Sequence, residues 1–165
     1  MKKTLVLLLL IFALSITAFA AETTEARVPV TLTVINMVSP ISCTVPACLP
    51  VSLVDGCVVT ANNAAITNTG KTGSIQVTRV DIQPNAFEIG SYDSFSAGKS
   101  SIALNINGCP TKGAGYLPLT EDAFPPIDAE QSLAIRYKAK ISANEAMTNV
   151  NAATVIFTIA AAEEE

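Results

Sequence analysis

Four cysteines and fourteen acidic residues carry most of the chemical potential of this sequence, because histidine is absent altogether. Without an imidazole there is no neutral-pH base to activate a serine or cysteine, and no histidine-containing metal site. Most hydrolase chemistry is removed at once. Paired carboxylates remain formally able to act as general acid and base, with Asp81, Glu88, Asp93, Glu121, Asp122, Asp128 and Glu130 available. No spacing singles out two of them, so the chain reads as non-catalytic and without a cofactor.

The cysteines are Cys43, Cys48, Cys57 and Cys109. An even number in an exported chain reads as two disulfides, with three pairings open. Cys43 with Cys48 and Cys57 with Cys109 would give one small staple and one long clasp, the longer loop removing more unfolded-state entropy. A zinc site needs close pairs such as C-x-x-C, whereas the gaps here are four, eight and fifty-one residues. The acidic set Glu121, Asp122, Asp128 and Glu130 matches no calcium-loop spacing and reads as a solvated loop. Leu117 to Glu121, LPLTE, differs from a sortase signal at its last position and in lacking the apolar span and basic tail that follow one.

The N-terminus has the three parts of a secretory signal: Lys2 and Lys3, an apolar run from Leu5 to Leu14, and Ala18-Phe19-Ala20. Cleavage after Ala20 is expected, giving a secreted, extracellular or cell-surface protein. A membrane anchor needs about 20 apolar residues, and Ser15 and Thr17 interrupt this run, so no membrane association is expected after cleavage. The segment holds two of the ten basic residues and no acids, so its removal takes the net charge from −4 to −6. Such a surface repels phosphate backbones, and nucleic acid is excluded as an expected partner. Residues 21–165 suit a single domain with loose ends.

What positions these residues is a series of short extended runs. Asn62 to Ile82 contains two of them, Ala65 to Thr69 and Ser74 to Ile82, separated by Gly70-Lys71-Thr72-Gly73, which predicts a hairpin. Ile75 and Val77 have one parity and Val80 and Ile82 the other, so a β-bulge is expected near Thr78-Arg79. Upstream, Val28, Val30, Leu32 and Val34 alternate with threonines in a half-buried strand. Asp55-Gly56 predicts a hairpin between Leu49–Val54 and Cys57–Thr60. Downstream come Ser100 to Asn107, a run from Leu133 to Ile141 with Arg136, Lys138 and Lys140 outward, and Thr154 to Ala160. Ala143 to Asn151 is read as a helical turn or loop. About nine strands with regular turns and no convincing helix predict an all-β fold, an antiparallel β-sandwich of jelly-roll or immunoglobulin-like architecture.

Thr111 to Glu130 is a long irregular stretch with three prolines and two glycines, and a loop of that length in a compact domain is functional or mobile. Tyr116 and Phe124 within it are the candidates for a ligand platform, in a chain without tryptophan, although loop aromatics more often fold down as lids over the core. Phe87 and Phe157 are assigned to the core.

The series DGCVVTANNAAITNTGKTGSIQVTRVDI, NAFEIGSYDSF, IALNING and SLAIRYKAKISANEAMTNVNAATVIFTIA resembles β-sandwich modules of exported Gram-positive surface proteins. The Asn-Thr-Gly turn before a valine-rich strand is similar to that of matrix-fibre subunits of the TasA and camelysin type. Where WxL-type surface modules place Trp-x-Leu, this chain has Phe87-Glu88-Ile89. The resemblance implies a structural or adhesive extracellular protein, a surface-layer component or fibre subunit, whose partners are copies of itself or other surface proteins. Val28, Val30, Leu32 and Val34 are then the candidates for strand addition to a neighbour, although docking in the same chain is the simpler expectation. The alternative is a secreted binding module that takes glycan or protein ligands through the 111–130 loop.

Overall fold

The computed structural model describes residues 26–36, 41–54, 57–96, 99–143 and 149–162, with only the Val30 side chain described in the first of these. The expected signal segment, the residues of the Asp55-Gly56 turn, residues 144–148 and the acidic C-terminus lie outside them. In chain order the strands are β1 (Ala26–Asn36), β2 (Cys43–Thr44), β3 (Cys48–Val54), β4 (Cys57–Thr60), β5 (Ala65–Asn68), β6 (Ile75–Pro84), β7 (Glu88–Ile89), β8 (Ser101–Ile106), β9 (Cys109–Pro110), β10 (Gly115–Tyr116), β11 (Ser132–Ala134), β12 (Tyr137–Ser142) and β13 (Ala153–Ala161). They form a six-stranded sheet, β10-β6-β13-β1-β3-β4, packed with β11-β5-β2 and with β12-β8-β7, where β9 folds back on β8.

The all-β sandwich expected from the sequence is therefore present, and no helix occurs among the described residues. Among the described residues there are thirteen strands rather than about nine. The additional strands are two-residue pairings that no periodicity can reveal. Nor is the pairing wholly antiparallel: β1 lies parallel to β13, and β7 parallel to β8.

The Asn62–Ile82 region is not a hairpin. β5 pairs with β11 and β2, whereas β6 pairs with β13 and β10 in the large sheet, so the glycine-bounded turn carries the chain between sheets. Asn68 braces this crossing. Its buried carboxamide accepts from Gly70 N at 2.9 Å and donates to Gly73 O and to Ile127 O, both at 3.0 Å. A Cβ on Gly70 would stand 3.0 Å from the Asn68 oxygen, and Gly73 has φ +76°, so both glycines are needed for the bend.

The bulge is where the residue parity places it. Thr158 of β13 opposes Arg79, but Ile159 opposes Val77, leaving Thr78 as the extra residue. Ile75, Val77, Val80 and Ile82 are all buried as a result. The expected Leu133–Ile141 strand is instead broken at Ile135-Arg136 into β11 and β12, which belong to different sheets. Asn107-Gly108 supplies a tight turn between β8 and β9, with φ +48° and +88° and Ile106 opposite Cys109. Positive φ at both positions is the twist-matched hairpin geometry favoured by Asn-Gly.

The core lies between the sheets around Phe87, Phe157, Leu104, Ile106 and Ile159, each essentially without solvent contact. Burial of side chains of this size stabilises the fold by about 1.5–3 kcal/mol each. The 111–130 loop adds to it. Leu117, Ala123, Phe124 and Ile127 are buried, and the Phe124 ring meets Phe157 edge-on at 6.0 Å.

Candidate functional site

The strand expected to take part in assembly occupies a particular place. β1 pairs antiparallel with β3 over Ala26 to Thr31 and parallel with β13 over Thr31 to Asn36, so only Thr31 is in register with both neighbours. Each half of the strand is thus hydrogen-bonded to a different neighbour, and β1 splices the β3–β4 hairpin to the rest of the large sheet. Pro29 stands opposite Pro50. Two facing prolines, both without a donor, fit where backbone groups point away from the shared ladder. On its other side Pro29 lies before the first β13 pair, Thr31 with Thr154, so no β13 carbonyl is left waiting for its missing N–H. Val30 is fully buried; the side chains of Val28, Leu32 and Val34 lie outside the described ones. In this structure the strand docks in its own chain.

A second tie holds the β3–β4 hairpin. The Tyr137 hydroxyl donates to Pro50 O at 2.6 Å and accepts from Ala61 N at 3.1 Å, while Thr60 Oγ1 donates to Tyr137 O at 2.9 Å. The β4 edge of the large sheet is thereby fastened to β12. Burial pushes the Tyr137 hydroxyl above the ordinary phenol range, because the phenolate would lose its water there.

The proposed aromatic platform does not form. Phe124 is buried against Phe157, whereas Tyr116 is 54% exposed on the outer face, where the Arg79 guanidinium lies 5.4 Å from its ring centre. The loop covers the outer edge of β6: Gly115 and Tyr116 pair with Ile82 and Asp81, Leu117 N donates to Val80 O, and Ile127 exchanges backbone bonds with Ile75. Bulky apolar loop residues turned inward because the exposed edge of β6 offered unpaired backbone groups and a hydrophobic flank. Arg79 also holds Asp81 through both carboxylate oxygens, which lowers the Asp81 pKa.

The expected disulfides are absent, and all four cysteines are free thiols. Cys109 is wholly buried, its sulfur accepting from Thr120 N at 3.3 Å, whereas Cys57 is exposed beside the β3–β4 turn. A clasp between them would have to draw Cys109 out of the core. Cys43 is half-buried in β2 and Cys48 exposed at the head of β3, and these strands belong to different sheets. Burial raises the Cys43 thiol above its ordinary value. The loop carboxylates also diverge: Asp128 accepts from Ser74 Oγ at 2.7 Å and Glu130 pairs with Lys71 at 2.5 Å.

Sequence reasoning missed Asn107, Tyr137 as a strut, and the loop as an edge cover. Only Asn107 carried a local signal, its Asn-Gly dipeptide. No family model matches this chain, and no curated protein resembles it closely enough to count as a match.

Proposed function

We propose that this protein is a non-catalytic extracellular structural or adhesive subunit, of a surface layer or fibre, that assembles by strand addition through β1. The observation that carries the reading is the splice: β1 is bonded half to β3 and half to β13, at the N-terminal end of the described chain. Its departure would open a slot with a defined register on both walls, into which an identical strand of a neighbour fits by the same backbone bonds. The absence of histidine and the resemblance to exported fibre subunits support the same reading.

Light scattering and electron microscopy of the protein lacking residues 1–20 test it. Concentration-dependent particles or filaments are expected, with deletion of residues 22–34 stopping growth and the truncated protein capturing a synthetic peptide of residues 26–36. A wild-type protein that stays monomeric at the highest attainable concentration would refute the assembly role.

A further inference from the structure

A cleft of about 610 Å³ opens where the β8–β9 turn, the 122–125 part of the long loop and the β11–β12 corner meet. That volume lies in the range of small-ligand sites, about 300–1,000 Å³. One carboxamide ties its three walls together. Asn107 Nδ2 donates to Ala123 O at 2.9 Å, and Asn107 Oδ1 accepts from Arg136 N at 2.8 Å. Asn107 N in turn donates to Arg136 O at 2.7 Å, so the backbone that carries Arg136 is fixed on both sides. The cleft is therefore held open before any ligand arrives, which reduces the entropic cost of binding.

Its charges are unspent. Arg136 and Lys138 lie on one side of the corner, exposed, and neither makes an ion pair among the described residues. By contrast Lys71, Arg79, Lys99 and Lys112 have carboxylate partners, and Lys140 donates to Tyr92 O and lies over the Tyr92 ring. In a chain of net charge −4, two adjacent cations without an ion-pair partner among the described residues stand out. Asp122 stands on another wall, Asn105 faces Lys138 across the strands, and Ala123, Pro125 and Leu133 supply apolar surface.

We propose that this cleft binds an acidic sugar, a uronate residue of an extracellular polysaccharide. The planar guanidinium of Arg136 matches a carboxylate through two parallel hydrogen bonds, with Lys138 adding a point charge. Asp122 accepts from sugar hydroxyls, which an acidic peptide does not offer. Pro125 and Leu133 lie under the C–H face of the ring. The inference does not rest on the strand-addition reading and needs neither Tyr116 nor Phe124 as a platform.

Calorimetric titration of the signal-free protein with trigalacturonate and with a glucuronate-containing tetrasaccharide tests it, with galactotriose and hexaglutamate as controls. Saturable binding of at least one uronate oligomer is expected, at least tenfold tighter than galactotriose or hexaglutamate. Arg136→Gln should weaken it at least tenfold and Lys138→Gln several-fold, both with an unchanged melting temperature. No saturable binding of either uronate at millimolar concentration, or affinity retained in Arg136→Gln, would overturn the proposal. Equal or tighter binding of hexaglutamate would overturn it too, in favour of acidic peptide.

Discussion

Tyr137 shows how a single polar atom organises this fold. Its ring is buried with the core, and its hydroxyl satisfies two backbone groups of the β3–β4 hairpin. Tyr137→Phe keeps the ring and leaves Pro50 O and Ala61 N without their partner, which should cost about 1–3 kcal/mol in denaturant unfolding. The pH dependence has a definite sign. With the folded-state pKa raised, the folded protein holds the phenolic proton at pH values where the unfolded chain has lost it. The associated stability is present below the ordinary tyrosine pKa of about 10 and is lost as pH rises through the folded value. Urea midpoints measured from pH 9 to 11.5 should therefore fall more steeply in wild type than in Tyr137→Phe.

Among the elements, β6 carries the most demanding register. Its bulge lets Ile75 and Val77 face the same interior as Val80 and Ile82. Deleting Thr78 leaves Ile75, Val77, Val80 and Ile82 in unbroken alternation with all four inward. Inserting one further residue beside Thr78, with the bulge still one residue long, turns one pair to the outer face, a loss of roughly 3 kcal/mol or more from two buried aliphatic side chains. Calorimetric melting of the insertion variant should show a large drop, whereas Thr78→Ala should melt close to wild type, since the exposed hydroxyl makes only a 3.3 Å bond to Thr158 O. The 111–130 loop works at the same scale. It occupies the outer edge of β6, so the large sheet is covered on that side.

At the scale of the whole molecule, the placement of the thiols distinguishes a sandwich held by its core from one held by cross-links. In the native protein a thiol reagent should modify Cys48 and Cys57 first and Cys43 more slowly, since burial keeps its thiol protonated. Cys109 should react only on unfolding, since it is enclosed in the core. Four reactive thiols in denaturant without reductant are expected; two or none would show that cross-links form.

Local pattern was enough for much of this. The alternation in β8 placed Ile102, Leu104 and Ile106 inward, and the parity change in β6 located the bulge to the Thr78-Arg79 pair. These features depend on which face a side chain occupies, a property that repeats every two residues and can be read from the chain. Composition also determined that no imidazole chemistry exists here. The partner of each strand was decided only in three dimensions. The turn after Asn68 read as a hairpin because its glycines allow one, yet the carbonyl of Ile127, 59 residues away, engages the carboxamide and the chain crosses to another sheet. Likewise Phe124 and Cys109 have no local mark of burial; one is drawn in by Phe157 and the other covered by Thr120. Face is a local quantity, whereas pairing and enclosure are set by contacts between distant segments, which no short stretch of sequence contains.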